Sequence, residues 1–119
     1  MTRNMATFQL VLLEEAKKFL QSLPKPAYSK IIYNVDRVAR GERNSKIFKK
    51  LDNTDIWEFR TLYNGIAYRL FAFWDTDTQT LVVATHGIIK KTQKTPKKEI
   101  AMAEATMKQY FELKKKYRT

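Results

Sequence analysis

The sequence predicts a small single-domain α+β fold: an N-terminal strand and a helical hairpin packed on a mostly antiparallel sheet, then a C-terminal helix, in the order β-α-α-β-β-β-α. Three observations carry that expectation. The chain has 119 residues, one domain's worth, and 44% are hydrophobic, which excludes a disordered basic tail. Two stretches with helical spacing of apolar residues meet at Pro24. Asn64-Gly65 separates two β-prone runs, the pattern of a two-residue hairpin that needs positive φ at both loop positions.

Residues 6–12 read as the first strand. Leu12, Ala16, Phe19, Leu20 and Leu23 then share one helical face, and Pro24 ends that helix. Pro26 falls in the first turn of the next helix, where its missing N–H does no harm. Tyr28, Ile31, Ile32, Val35, Val38 and Ala39 form the second stripe, and Gly41 stops it. The pair makes a hairpin whose apolar face needs a sheet to cover. Residues 56–63 alternate bulky and polar side chains, and 66–74 are nearly continuous β-prone sequence. Asp75 and Asp77 supply turn chemistry before a third strand at 80–89. Thr95 and Pro96 read as N-cap and first residue of the last helix, with a stripe of Ile100, Ala103, Met107, Tyr110 and Phe111.

Composition narrows the function. With no cysteine, disulfide scaffolds, Cys-ligated zinc and Cys nucleophiles are excluded, and a single His excludes a His-rich metal centre. The longest apolar run, 66–74, is broken by Arg69 and falls far short of the ~20 residues of a membrane span. The first residues lack the apolar core of a signal peptide. The expectation is a cytoplasmic domain with no membrane partner. Its formal net charge is +11, and the excess is uneven: residues 90–119 hold 10 basic and 3 acidic side chains, against 13 and 9 in residues 1–89. Such a local excess attracts polyanions, nucleic acid or an acidic protein segment.

The hairpin register sharpens this. A two-residue loop at Asn64-Gly65 places Arg60 directly opposite Arg69. Like charges on a cross-strand pair cost up to about 1 kcal/mol, so the pair needs an offset. Glu58 on the same face is one; a phosphate bridging both guanidinium groups is the other. Lys90, Lys91, Lys94, Lys97 and Lys98 crowd the exit of the third strand and the start of the last helix, where a purely structural design would place acids. Lys49 and Lys50 are further candidate nucleic-acid contacts. His86 is a candidate general acid or base, although a lone His in a strand is more often simply hydrogen-bonded. Tyr63, Tyr68, Trp57, Phe71 and Phe73 read better as core than as base-stacking platforms, and Asp75 with Asp77 as turn residues rather than metal ligands.

The stretches Ile-Trp-Glu-Phe-Arg at 56–60, Asn-Gly-Ile-Ala-Tyr-Arg-Leu-Phe at 64–71 and His-Gly-Ile-Ile-Lys-Lys-Thr-Gln-Lys-Thr-Pro-Lys-Lys-Glu-Ile at 86–100 resemble the RelE/ParE toxin superfamily, in particular its HigB-like, phage-derived branch. The resemblance runs along essentially the whole chain, and residues 91–96 are its most specific part. It implies a type II toxin, neutralised by a cognate antitoxin carrying a helix-turn-helix domain, that cleaves mRNA on the ribosome without a cofactor or metal. By the same resemblance Arg69 matches the transition-state arginine, and Arg60, Lys90 and Lys91 match basic positions of the cleft. Glu58 is an acid where some RelE-like enzymes have a cleft lysine, and no C-terminal catalytic Tyr is evident. Two other functions stay open at this point: a ParE-like gyrase inhibitor, against which the density of cations argues, and a catalytically silent nucleic-acid-binding module.

Overall fold

The computed structural model describes residues 8–78, 81–91 and 94–117. Its elements are β1 (Gln9–Leu12), α1 (Glu14–Gln21), α2 (Lys25–Ala39), β2 (Phe48–Lys50), β3 (Trp57–Tyr63), β4 (Ile66–Trp74), β5 (Leu81–Lys90) and α3 (Lys97–Lys116). The predicted α+β architecture is present, with one addition. β2, three residues long, carries too few residues for period-two alternation to register in the sequence, yet it forms one edge of the sheet.

The five strands lie in the order β1-β5-β4-β3-β2. β1 runs parallel to β5, and the other three pairs are antiparallel. The hairpin register is as predicted: Tyr63 pairs with Ile66 and Arg60 with Arg69. Asn64 and Gly65 have φ of 53° and 75°, as that turn demands.

Helices cover both faces. The α1–α2 hairpin packs Ala16, Leu20, Ala27, Ile31, Val35 and Val38 against Phe59, Tyr68, Leu70, Ala72, Val82 and Ala84. On the other face α3 lays Ala103, Met107, Tyr110 and Phe111 over Ile56, Phe71, Phe73 and Val83. Tyr28, predicted to face the core, is 42% exposed. Of the strand aromatics expected in the core, Tyr68, Phe71 and Phe73 are buried, Tyr63 is half-buried against the core, and Trp57 is half-buried outside it. Among the described residues no helix is long and apolar enough to cross a membrane.

Two details position the site. The β4–β5 ladder contains a bulge: Phe71 pairs with His86 and Ala72 with Ala84, so Thr85 is the extra residue. Side chains alternate faces along a strand, so one inserted residue swaps the facing of everything beyond it. Before the bulge Ala84 faces the helical hairpin and Val83 faces α3. Beyond it, Gly87 faces the hairpin and Ile88 faces α3. Alternation then puts Lys90 on the α3 side, level with Ala67 and diagonal to Arg69.

The second detail corrects the start of the last helix. Pro96, not Thr95, occupies the N-cap position, and no side chain caps α3. A proline has no side-chain acceptor, and the Thr95 hydroxyl is drawn to Glu58 instead, at 2.6 Å.

Candidate active site

The residues facing α3 at the hairpin end of the sheet form a grid. β2 contributes Lys49, paired with Glu58 of β3; Glu58 pairs with Phe71, and Phe71 with His86. The next row is Arg60, Arg69 and Ile88, and the row nearest the hairpin loop is Leu62, Ala67 and Lys90. The start of α3 borders the grid, and a hollow of about 270 Å³ lies between Ile88, Ile89, Lys90, Lys91, Pro96 and Glu99.

Glu58 is the centre. It is fully buried, and its Oε1 accepts a hydrogen bond from Arg60 Nε at 3.1 Å. The same oxygen lies 3.3 Å from Arg69 Nε. That second contact is an ion pair without hydrogen-bond alignment: Arg69 Nε is the one buried side-chain polar atom among the described residues with no hydrogen-bond partner. Oε2 accepts the bond from Thr95. A carboxylate stripped of water costs several kcal/mol unless paired, so two cations and a hydroxyl around one buried acid explain each other. The structural offset named from sequence is therefore present. The remaining guanidinium donors are partly used: Arg60 Nη1 donates to Ser45 O at 3.3 Å and Arg69 Nη1 to Tyr68 O at 3.1 Å.

The electrostatics follow from crowding. Burial pushes the Arg69 guanidinium below the usual arginine value, with Glu58 opposing and Arg60 reinforcing that push. Lys90 is buried at 9% exposure. Its ammonium is held below the ordinary lysine value first by burial, then by Arg69, Arg60 and Lys49, against the pull of Glu58. An ammonium in this position gives up its proton more readily than a free lysine, the property proton transfer needs.

The other predicted site residues fall into three groups. Lys91, Lys94, Lys97 and Lys98 are exposed around the start of α3 and border the cleft, and Lys49 is exposed on its β2 edge. Lys50 does not belong: it pairs with Trp57, so strand alternation turns it to the opposite face from Lys49 and Glu58. His86 lies on the cleft side but is buried, with Nδ1 2.9 Å from Thr85 Oγ1 and Nε2 3.0 Å from Glu99 Oε1, and it packs on the Phe71 ring. Both nitrogens are engaged, the arrangement of a hydrogen-bonded histidine. Residues 92–93, within the stretch most specific to the resemblance, lie outside the described residues.

Asp75 and Asp77 take turn roles. Asp75 Oδ1 accepts from the Asp77 and Thr78 N–H groups at 2.9 and 3.3 Å. Its Oδ2 accepts from Tyr110 at 2.7 Å and Lys114 at 2.6 Å, which fastens α3 to the β4–β5 turn. Among the described residues no cluster of three or more His, Asp or Glu converges as metal ligands would. A larger hollow of about 580 Å³, lined by Phe8, Phe48, Trp57, Trp74 and the loop after α2, opens on the hairpin side, and Ser45 of that loop is the residue whose carbonyl accepts from Arg60. Thr95 is the cleft residue that sequence reasoning missed, because a Thr before a Pro looks like a helix cap.

The comparisons with known proteins agree with this architecture. The family described as "Phage derived protein Gp49-like (DUF891)" matches residues 18–108. Among solved structures, an arginine double mutant of the Escherichia coli toxin RelE in the free state superposes with a TM-score of 0.54 at 19% identity, covering 70% of this chain and 82% of that one. A chain of the toxin–antitoxin complex RelBE2 from Mycobacterium tuberculosis superposes with a TM-score of 0.50 at 17% identity, covering 75% of this chain and 98% of that one. No curated protein matches the chain in sequence.

Proposed function

The chain belongs to the family of phage-derived Gp49-like proteins and has the RelE fold, and from that premise and its cleft we propose that it is the toxin of a toxin–antitoxin pair, acting as a ribosome-dependent mRNA endoribonuclease. The observation that carries the chemistry is the convergence of Arg60, Arg69 and Lys90 on one sheet face around the buried Glu58.

The reaction is attack of a ribose 2′-oxygen on the adjacent phosphorus. The O2′–P bond forms and the P–O5′ bond breaks, leaving a 2′,3′-cyclic phosphate and a 5′-hydroxyl. Negative charge grows on the phosphate oxygens in the transition state, and guanidinium groups held in place stabilise it without reorganising. Arg69 and Arg60 take that role. A proton must leave the 2′-hydroxyl and another must reach O5′. Lys90, with its lowered proton affinity, is the group placed to exchange one of them. Lys49, Lys91, Lys94, Lys97 and Lys98 flank the cleft as contacts for neighbouring phosphates along the RNA. A partner antitoxin completes the system; the RelBE2 complex is a solved toxin–antitoxin pair on the same fold.

Primer extension on mRNA from a translating extract tests the reading. The expected result is new 5′ ends within A-site codons that appear with the protein, need ribosomes, and vanish with Arg69→Ala. Folded protein that yields no new ends beside an active control interferase would contradict it and return gyrase inhibition to consideration.

A further inference from the structure

Arg60 and Arg69 face each other on one cross-strand pair, and the Nε atoms of both lie within 3.3 Å of the same Glu58 oxygen. Arg60 Nε donates to Oε1, so that acceptor sets its rotation about the side-chain axis and the direction of its Nη edge, while Arg69 is held beside the same oxygen by charge, its Nε 3.3 Å away without hydrogen-bond alignment. Glu58 cannot itself move away to act elsewhere: it is 0% exposed, lies on β3 between β4 and the edge strand β2, and its second oxygen is held by the Thr95 hydroxyl at 2.6 Å. Oε1 lies between two arginines, Oε2 accepts from Thr95, and the whole side chain is closed to solvent. Thr95 in turn belongs to the segment that delivers Lys94, Lys97 and Lys98 to the rim.

We propose that Glu58 is a positioning residue that orients the Arg60 and Arg69 guanidinium groups as a two-pronged clamp for a single phosphate, and that Thr95 locks Glu58 in the orientation that does so. The inference rests on the anion-binding cleft of the proposed function, but its test does not require cleavage. Removing a negative charge from a polyanion site strengthens binding if charge alone matters. Removing an orienting group weakens it. The sign of the change therefore separates the two.

The same carboxylate also bears on Lys90. Of the charged groups facing Lys90 across the cleft, Lys49 on β2, Arg60 on β3 and Arg69 on β4 lower its proton affinity, while Glu58 on β3 raises it. His86 and Lys91 share its strand region, and Glu99 of α3 lines the adjoining hollow.

The experiment measures binding of a 2′-O-methyl RNA hexamer, which cannot be cleaved, to wild type and to Glu58→Gln, Thr95→Ser and Thr95→Val by fluorescence anisotropy at one fixed salt concentration. Arginine Nε–H resonances of the same samples are followed by nitrogen-edited NMR. The expected result is about tenfold weaker binding by Glu58→Gln despite its extra net positive charge. Loss of the protected Nε–H signal of Arg60 is expected with it. Thr95→Val, which keeps every charge, is expected to bind several-fold more weakly, and Thr95→Ser to match wild type. Equal or tighter binding by Glu58→Gln overturns the proposal, as does wild type with no affinity for the hexamer. If Glu58→Gln does not fold, the Thr95 pair decides: Val equal to Ser overturns the proposal. Wild type that binds as described yet cuts no ribosomal mRNA leaves the clamp standing and removes the nuclease reading.

Discussion

Lys90 and Arg69 face the same side of the sheet because Thr85 is bulged out of the β4–β5 ladder. An unbroken ladder would send Lys90 into the helical hairpin, with Gly87 on the α3 side. The bulge instead puts a glycine under Phe19 and a lysine in the cleft. It lies two strand positions from the arginine pair, and bulges of this kind commonly re-aim side chains beside functional sites.

The glycine end of that arrangement is testable. A Cβ built on Gly87 comes within 2.2 to 2.7 Å of three Phe19 ring carbons, including Cγ, which the ring cannot withdraw by a simple flip. Gly87→Ala is therefore expected to lower stability by ~1–3 kcal/mol, the usual range for an overpacked core. Urea denaturation checks this, and Phe19→Leu in the same chain should recover part of the loss.

The lysine end has the opposite signature. Its folded-state proton affinity is lowered, so the folded protein carries a penalty at neutral pH that is relieved as pH rises from its folded pKa toward the ordinary lysine value near 10.4. Lys90→Met should remove that pH dependence and leave stability unchanged or raised by about 1 kcal/mol. Cleavage should fall by at least about 100-fold. Parallel denaturation and cleavage measurements separate the two effects.

Arg69→Lys is expected to behave like Arg69→Ala in cleavage, with a loss of about 100-fold or more. Lysine keeps the charge but lacks the planar guanidinium that lies against Glu58, donates to Tyr68 O and still presents further N–H donors. Recovery of activity by Lys would show that charge alone suffices there.

The far end of α3 has its own latch. Burial and the bond to Asp75 raise the Tyr110 phenol to about 12. Burial alone would raise Asp75, but its bonds from Lys114, Tyr110 and the Asp77 N–H outweigh that and leave it below the usual carboxylate value. The Tyr110 contribution to stability is thus present below about pH 10 and lost as pH rises through about 12; the Asp75 contribution is present above about pH 4 and lost as pH falls through its lowered value. An ultraviolet titration should show one of the six tyrosines ionising near pH 12. Tyr110→Phe should abolish that step, and its persistence in the variant would assign it elsewhere.

Local chemistry explains what the sequence made legible. The Asn64-Gly65 turn has one comfortable geometry, so the Arg60–Arg69 pairing followed from two residues. The helical stripes likewise follow from apolar spacing, since each helix buries one face. What stayed hidden was tertiary. β2 is too short to show alternation. The facing of Lys90 depends on one bulged residue that nothing in 80–90 announces, and the adjacent Lys49 and Lys50 look alike in sequence until the sheet separates their faces. The local preference of Thr before Pro is to cap a helix, yet the buried carboxylate of Glu58, 37 residues earlier, takes the Thr95 hydroxyl instead.

The most direct test of the central claim uses ribosomes programmed with a defined mRNA whose A-site codon carries either ribose throughout or a single 2′-deoxyribose at the cleaved nucleotide. The expected result is a cut in the all-ribose message, ending in a 2′,3′-cyclic phosphate and a 5′-hydroxyl, and no cut at that position in the deoxy message. Cleavage of both messages alike, or of neither by folded protein, would contradict an attack by the 2′-oxygen in a cleft built from Arg60, Arg69 and Lys90.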